Sequence, residues 1–489
     1  MKEFNQIDLR INDSKRKNAV KRAKEQNIII PTFEQMKHPE LIPNEIKEKI
    51  KSIDPWALDP LNLFRITWQN QSLEEGGLFG DGHYIVLPKE ITGVDAKIVC
   101  LSGKYFPTGA HKVGAAFACL VPRLVTGQFD PTVTKAVWPS TGNYCRGGAY
   151  DSALLACESI AILPEGMSQE RFDWLKKVAG EVIATPGTES NVKEIFDKCW
   201  ELRNSGEDLM IFNQFDEFGN YLWHYEITGD YIERIVKKVG GKYKAYVSAT
   251  GSGGTIAAGD YLKKVWPTSK VIAGEALQCP TIYSNGFGEH RIEGIGDKHI
   301  PWIHNVKNTD AIVALDDEIP MNMIRLFNEP AGKKLLLEMG VDQSMIDHLQ
   351  WAGISGCANI ANAIKTAKYF EMKEDDVVVT ILTDSMDMYE SRLQEMTELH
   401  GEFTDYEAYR VYHQYLLGLN TDYFKELNYR ERKAVHNLKY YTWVEQQGKT
   451  YEEICAQWDD EEYWESIPKK VAELDVLIKA FNQSVKDLK

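Results

Sequence analysis

A lysine at the predicted start of a helix is the first residue of this sequence that could do covalent chemistry. Residues 107–117 read PTGAHKVGAAF, so Lys112 follows a Thr-Gly turn and opens a segment rich in Ala and Gly. Unpaired N–H groups and the positive end of the helix dipole gather at a helix start. A desolvated lysine close to positive charge can lose its proton and attack a carbonyl carbon. An ordinary surface lysine at a helix start is the alternative.

A polar loop supplies a second group of candidate residues. Residues 139–148 read PSTGNYCRGG and directly follow the apolar run 134–138, which is typical of a strand. Ser140, Thr141 and Asn143, together with the backbone N–H groups of the bend, suit a carboxylate or a phosphate group. Ser, Thr, Gly and Asn are also the common turn residues, so a plain connecting loop is the alternative.

A glycine-rich loop supplies the third group. Residues 250–255 read TGSGGT, and they lie between the apolar run 245–249 and a helical segment, IAAGDYLKKV. A strand, a glycine loop and a helix start in this order predict a phosphate-binding loop. No Gly-Lys-Ser/Thr follows, and Ile256 stands where a dinucleotide fingerprint has its third glycine. Glu275 lies at roughly the spacing of a ribose-binding acid, so NAD binding is an alternative, as is a plain strand-to-helix turn.

The elements that must position these loops alternate along the chain. Short β-rich runs separated by amphipathic helical windows occur at 97–101, 134–138, 159–163, 180–184, 245–249, 270–274 and 376–382. Nearly continuous apolar strands separated by helices indicate a parallel sheet that is covered on both faces. The sequence therefore predicts an α/β fold.

Three regions are expected from the composition along the chain. Residues 1–58 are polar, Lys-rich and then Pro-rich, and they are interpreted as an N-terminal extension. The α/β pattern covers residues 59–400, with a smaller lobe at about 115–225. Residues 401–489 are aromatic-rich, and their large side chains recur at three- and four-residue steps, which predicts a packed helical C-terminal appendage.

Charge and cysteine usage exclude several classes of function. The 489 residues carry a formal net charge of −16, and an acidic chain repels the phosphate backbone of nucleic acid. No apolar run approaches the ~20 residues of a membrane helix, and the N-terminus lacks the apolar core of a signal peptide. The eight cysteines have no zinc-binding spacing, so no metal site is predicted. We expect reduced thiols, a cytoplasmic location and no membrane or nucleic-acid partner.

The order of the three candidate segments carries a family resemblance. An STGN loop follows the lysine by about 30 residues, and the GSGGT loop comes about 110 residues later. In this the sequence resembles the cysteine synthase / cystathionine β-synthase group of fold-type II pyridoxal-phosphate enzymes, over about residues 59–395. The TGAHK context of Lys112 is most similar to the tryptophan synthase β chain. Further similar segments are HRIEGIGDKHIP (290–301), GISGCAN (353–359) and ILTDSMDMYESR (381–392).

The resemblance implies a two-lobed fold, the cofactor pyridoxal 5′-phosphate and a set of cofactor contacts. Lys112 would form the Schiff base and then remove the α-proton of the substrate. Asn143 would bond the 3′ oxygen of the cofactor, and Ser385 would bond its pyridine nitrogen. The backbone of the phosphate loop would be that of Gly251, Ser252, Gly253, Gly254 and Thr255.

The resemblance also implies contacts to a small amino-acid substrate. Its carboxylate would be bound by Ser140, Thr141, Gly142 and Gln214. Tyr144 and Arg146 depart from the family pattern and are included as substrate-binding candidates. Arg146 is hypothesised to pair with a distal acidic group on the substrate or the nucleophile. An arginine that points to solvent or to an acidic neighbour is the alternative.

The implied activity is β-elimination or β-replacement on a small L-amino acid of the serine, cysteine or O-activated serine type. A serine is too weak an acid to keep the pyridine nitrogen protonated, which favours prompt elimination over long-lived carbanions. Alternatives in the same fold are tryptophan synthase β-like, threonine dehydratase and threonine synthase-like chemistry. Alternatives from other classes are a NAD-dependent oxidoreductase and a cofactor-binding regulatory subunit without turnover. We expect a homodimer.

Overall fold

The computed structural model describes residue 4 and residues 6–140, 142–188 and 191–488, and two sheets with helices on their faces organise this part of the chain. The strands of the described residues are β1 (Tyr84–Leu87), β2 (Lys97–Ser102), β3 (Lys135–Pro139), β4 (Ser159–Pro164), β5 (Glu181–Thr185), β6 (Leu209–Ile211), β7 (Lys242–Ala249), β8 (Lys270–Ala276), β9 (Ala311–Leu315), β10 (Asp376–Leu382) and β11 (Phe424–Glu426).

Helices fill most of the remaining described chain. They are α1 (Asp13–Glu25), α2 (Phe33–Lys37), α3 (Asn44–Ile50), α4 (Lys89–Thr92), α5 (Lys112–Thr126), α6 (Asn143–Leu154), α7 (Gln169–Val178), α8 (Val192–Arg203), α9 (Phe218–Trp223), α10 (Gly229–Val239), α11 (Ala258–Val265), α12 (Thr281–Ser284), α13 (Glu318–Asn328), α14 (Pro330–Glu338), α15 (Gln343–His348), α16 (Ile354–Tyr369), α17 (Glu390–His400), α18 (Asp405–Val411), α19 (Tyr429–Asn437), α20 (Tyr451–Asp459) and α21 (Glu461–Asp487). Within the described part of the chain, every helix is too short or too polar to span a bilayer.

The two sheets confirm the predicted α/β class. The larger has the strand order β1-β2-β10-β7-β8-β9-β11, and the smaller has the order β5-β4-β3-β6. The smaller sheet and the five inner strands of the larger one are parallel. The edge strands β1 and β11 are antiparallel to their neighbours, which the sequence did not predict. The inner strands are apolar along almost their whole length because helices cover both faces.

The carboxyl ends of four parallel strands position the candidate residues. Lys112 begins α5 after the turn that follows β2, and the polar loop leaves β3 to begin α6. The glycine loop leaves β7, and Thr383 directly follows β10. Ligands of open parallel sheets bind outside the carboxyl ends of the strands. Here strands from both sheets contribute, so the site lies between the two lobes.

The two terminal segments pack against each other and against the core. The carboxylate of Asp475 on α21 accepts hydrogen bonds from the backbone N–H groups of Phe33 (2.7 Å) and Glu34 (3.1 Å), so α21 caps α2. Helix α21 also buries its apolar stripe against the α1 and α5 side of the core. The segment 401–489, predicted to be helical, contains β11 as well as helices.

Candidate active site

Lys112 projects from the first residue of α5 to loops of both lobes. The turn before it is tight, since Thr108 and Gly109 have φ values of +68° and +67°. The Lys112 Nζ donates to Ser252 Oγ of the glycine loop at 2.8 Å and to Gln214 Oε1 at 3.3 Å. Gln214 follows the smaller sheet and Ser252 follows the larger one, so the amine bridges the space between the two lobes.

The glycine loop faces the space beside Lys112 with its backbone and with the hydroxyl of Ser252. Gly253 has φ +77°, and a Cβ there would lie 3.0 Å from the Cβ of His304. A Cβ on Gly254 would lie 2.0 Å from Asn220 Oδ1. Because there is no room for side chains, the loop presents N–H groups just before the 3₁₀ turn Thr255–Ala257 and α11. Such a loop suits a phosphate group.

These residues enclose one cavity with about 410 Å³ of empty volume. The candidate residues on its wall are Lys112, Ser140, Asn143, Tyr144, Gln214, Gly251 and Ser252. An adjoining cavity of about 310 Å³ adds Gly253 and Thr255. The sequence-predicted residues Gly142 and Gly254 are not among the described lining residues, and their N–H groups donate to Ser140 Oγ and Ser252 Oγ. Thr141 lies outside the described residues. Polar side chains and backbone groups from both lobes converge on these walls, as in a small-molecule or cofactor site.

Asn143 is held at the start of α6 by a buried carboxylate. Its Nδ2 donates to Asp384 Oδ2 at 2.6 Å, and the hydroxyl of Tyr389 donates to the same oxygen at 2.8 Å. Burial raises the pKa of Asp384, and the nearby Arg171 opposes that shift. The Oδ1 of Asn143 is buried and has no hydrogen-bond partner among the described residues. A polar atom left in this way at a cavity wall marks a place for a ligand group.

Arg146 lies one helical turn beyond Asn143, in an aromatic enclosure. Its guanidinium carbon is 4.9 Å from the ring centre of Trp174 and 5.7 Å from that of Trp56, and one Nη contacts the sulfur of Met388. Burial lowers the pKa of Arg146 to about 10. The interpretation that it points to solvent is wrong, since only 1% of it is exposed. The described residues on the cavity wall do not include Arg146, and its contact with a substrate stays a prediction.

Ser385 is buried just beyond the end of β10 and donates to Asp387 Oδ2 at 3.0 Å. The described residues that line the two cavities include Thr383 but not Ser385. The oxygens of Thr383 and Ser355 are 2.5 Å apart. The contact of Ser385 with a pyridine nitrogen therefore stays a prediction.

Five residues on the wall of the first cavity were not predicted from the sequence: three with polar side chains, His111, Asp297 and Thr383, and also Phe215 and Gly294. His111 Nε2 lies 3.0 Å from Thr255 Oγ1, so it ties the lysine turn to the glycine loop. Burial lowers the pKa of His111 well below its usual value, and the charge of Lys112 adds to the shift. The only feature of the sequence that could have indicated His111 as a site residue is its position next to Lys112. Asp297 and Thr383 stand in family-like segments whose fold the sequence did not reveal.

The structure contradicts the interpretation of the glycine loop as a dinucleotide-binding loop. Glu275 is 2% exposed, and its carboxylate accepts from the backbone N–H groups of Ile282 (2.9 Å) and Tyr283 (2.7 Å). It caps α12 and does not face a ribose site.

The match to known proteins agrees with this geometry. Residues 92–384 match the family described as pyridoxal-phosphate dependent enzyme, and the chain belongs to that family. It is a PLP-dependent enzyme of fold type II. Its sequence is 29% identical to a probable cysteine synthase of Bacillus subtilis, over 60% of this chain and 89% of that protein. It is 30% identical to a cysteine synthase of Staphylococcus aureus, over 58% of this chain and 84% of that protein.

A solved structure agrees as well. The O-acetylserine dependent cystathionine beta-synthase from Helicobacter pylori matches with a TM-score of 0.53, at 25% identity over 64% of this chain and 95% of that one. The residues of the cavity fit pyridoxal 5′-phosphate: a glycine loop without room for side chains, a lysine amine and an unsatisfied amide oxygen meet in one place. When bound, this cofactor supplies an electron sink for the substrate α-carbon.

Proposed function

We propose that the protein catalyses β-elimination or β-replacement on a small L-amino acid of the serine, cysteine or O-activated serine type. One observation carries the proposal: the amine of Lys112 lies between the glycine loop and Gln214, and the Ser140–Asn143 loop forms another wall of the same cavity. The sequence similarity to two cysteine synthases supports the same class of reaction.

In this proposal each wall residue has one task. Lys112 would hold the cofactor through its Nζ, and the same amine would take the proton from the substrate α-carbon. The phosphate is bound by the backbone of Gly251, Ser252, Gly253, Gly254 and Thr255. The remaining cofactor contacts are Asn143 and Ser385.

Substrate binding is assigned to the other side of the cavity. The Oγ of Ser140 accepts from Gly142 N–H at 3.0 Å and lies 3.4 Å from Gln214 Nε2, so the loop and the amide form one polar surface. We assign the substrate carboxylate to Ser140, Thr141, Gly142 and Gln214, with Tyr144 beside them. A neutral His111 carries no positive charge, so it does not compete with these residues for the substrate carboxylate.

The regional assignments follow the same proposal. They are the extension 1–58, the catalytic region 59–400 with its smaller lobe at about 115–225, and the appendage 401–489. The small sheet, which uses residues 135 to 211, supports the smaller lobe. We also propose a cytoplasmic homodimer. Sedimentation of the purified protein tests the dimer, and cell fractionation tests the location.

A substrate panel tests the reaction. Full-length protein loaded with pyridoxal phosphate is given serine, cysteine or O-acetylserine, each with and without sulfide. We expect formation of cysteine, or release of sulfide, or release of pyruvate and ammonia, from at least one of them. Lys112→Ala removes both the cofactor anchor and the base, and should lose at least about 10³-fold in kcat/KM, about 4 kcal/mol.

Two results would contradict parts of this proposal. A Lys112→Ala variant that keeps substantial turnover would overturn the role of the lysine. Turnover of tryptophan precursors or threonine alone, with none of the serine-type substrates, would move the protein to another reaction of the same fold.

A further inference from the structure

The loop from Ile300 to His304 forms the outer support of the glycine loop. A Cβ on Gly253 would lie 3.0 Å from His304 Cβ and 3.2 Å from Pro301 Cβ, so the two loops are in close contact. The N–H of Ile303 also donates to the carbonyl of Phe215, which lies on the cavity wall. The position of loop 300–304 therefore sets where the backbone of Gly253 lies.

Side chains of the C-terminal segment supply hydrogen bonds to three carbonyl groups of this loop. Trp443 Nε1 donates to the carbonyl of Ile300 at 2.8 Å. Lys439 Nζ donates to the carbonyls of Trp302 and His304, both at 2.8 Å. Buried carbonyl groups outside helices and sheets need such donors, because an unpaired one costs about as much as a lost hydrogen bond. The loop thus depends on residues more than 130 positions later in the chain.

Lys439 is the centre of this contact. It is fully buried, and its third hydrogen bond goes to Gln457 Oε1 at 2.7 Å. Three acceptors use all three N–H donors of the ammonium group. The indole rings of Trp302 and Trp464 lie 5.9 and 5.4 Å from the nitrogen, within the range of a cation–π contact. Burial lowers the pKa of Lys439 well below its usual value, whereas three acceptors and two ring faces around the nitrogen favour the charged ammonium form.

We propose that Lys439 is a positioning residue of the cofactor site: it fixes loop 300–304 against Gly253, and through that loop it holds the glycine-loop N–H groups at the spacing that the cofactor phosphate needs. Lys439 does not touch the cofactor. The inference rests on the proposed binding of phosphate by the glycine loop. The C-terminal segment then contributes to cofactor binding through loop 300–304, and it need not serve as a separate docking surface.

The test uses the full-length holoprotein and its Lys439→Met variant. Equilibrium dialysis measures the dissociation constant of pyridoxal phosphate and, separately, of pyridoxal, which lacks the phosphate. We expect the constant for pyridoxal phosphate to rise about 10-fold or more, because hydrogen bonds from a charged group are among the stronger ones. The constant for pyridoxal should change by less than about 2-fold.

A control separates positioning from general stability. Asn482 on α21 exchanges hydrogen bonds with the backbone N–H and carbonyl of Ile30, away from loop 300–304. Asn482→Ala should lower the midpoint of thermal unfolding and leave both dissociation constants unchanged. A folded Lys439→Met variant with unchanged affinity for pyridoxal phosphate, or with equal losses for both ligands, overturns the inference.

A milder variant keeps the proposal testable if Lys439→Met does not fold. Trp443→Phe keeps an aromatic ring but removes the indole N–H that binds the Ile300 carbonyl, together with part of the buried ring. It should raise the dissociation constant of pyridoxal phosphate about 3-fold, and an unchanged constant overturns the inference. Failure of the phosphate-binding assignment looks different: in that case the wild-type protein itself binds pyridoxal and pyridoxal phosphate equally well.

Discussion

Gly253 combines a left-handed backbone conformation with close contacts on its outer side. Gly253→Val should displace the loop, since φ is +77° and a Cβ would lie 3.0 Å from His304 Cβ. We expect the dissociation constant of pyridoxal phosphate to rise by at least about 10-fold, about 1.4 kcal/mol. Equilibrium dialysis measures this constant, and chemical unfolding of the same samples measures stability.

The control for this change is Gly448→Val. Gly448 has a similar φ of +74°, but a Cβ there would meet nothing within 4 Å. Gly448→Val therefore carries the backbone strain without the collision, and its cofactor affinity should equal that of the wild type. If Gly253→Val and Gly448→Val lose the same affinity for pyridoxal phosphate, backbone strain explains the loss, and the collision of the Gly253 side chain with loop 300–304 does not.

Glu275 makes stability depend on pH. Burial raises its pKa to about 8, against 4.5 for an unperturbed glutamate. Between these values the folded protein keeps a proton that the unfolded chain has released. The free energy of unfolding should therefore fall as pH rises from 5 to 8, by at most about 1.4 kcal/mol per pH unit from this group. Urea unfolding of wild type and Glu275→Gln across this range measures the difference.

Glu275→Gln carries no such proton, so the stability of the wild type relative to this variant should fall with rising pH. Glu181→Gln, at an exposed position of β5, controls for the change in net charge. Parallel pH profiles for wild type and Glu275→Gln would show that the backbone hydrogen bonds keep Glu275 ionised throughout.

At the scale of elements, α7 of the smaller lobe is joined to the larger lobe by buried charges. Arg171 pairs with Glu293, its second Nη donates to the Tyr389 hydroxyl at 2.7 Å, and Asp384 lies 3.7 Å away. The neighbouring Glu170 caps α17 by accepting from the N–H and hydroxyl of Ser391. These contacts fix the relative position of the two sheets and hold Asp384, the partner of Asn143.

Arg171→Met should cost about 3 kcal/mol, because it removes a buried cation from Asp384 and Glu293, of which Glu293 keeps Arg392 as a partner. Urea unfolding measures the loss. Lys193→Met in α8 removes an ion pair with Asp197 whose side chains are 73% and 60% exposed, and it should cost less than about 0.5 kcal/mol. Similar losses for the two variants would mean that the buried network adds nothing beyond a surface pair.

The sequence predicted seven of the eleven strands of the described residues and missed β1, β6, β9 and β11, although β1 (YIVL) and β9 (AIVAL) are apolar. All seven predicted runs lie in strands, from β2 to β10. Strands β6 and β11 have only three residues each, and the second reads Phe-Lys-Glu, so neither shows a periodicity. Both form because a neighbouring strand offers an unpaired edge. That information comes from tertiary structure.

The site shows the same division. The lysine, the polar loop and the glycine loop could be placed in one site because each follows a strand of a parallel sheet. The surroundings of Arg146 could not be predicted from the sequence, because Trp56 and Trp174 come from distant parts of the chain. Asp297 was missed for a related reason: its loop is positioned by packing, with no local pattern to mark it.

At the scale of the whole molecule, both terminal segments are built into the core. Helix α21 lies against α1 and α5, and Asp475 caps α2. Strand β11 adds to the edge of the larger sheet beside β9, where an open edge would invite pairing with other chains. The extensions outside the family match are therefore structural parts of one folded unit.

The hydrogen bonds from Lys439 and Gln457 to loop 300–304 also set an order of events in time. A ribosome makes a chain from its N-terminus, so Lys439 and Gln457 are made well after the glycine loop that they support through loop 300–304. A nascent chain that has emerged only as far as residue 400 already holds Lys112, the glycine loop and both sheets except β11. Loop 300–304 of that nascent chain still lacks the hydrogen bonds from Lys439 and Trp443, so we expect weaker cofactor binding until these residues have emerged.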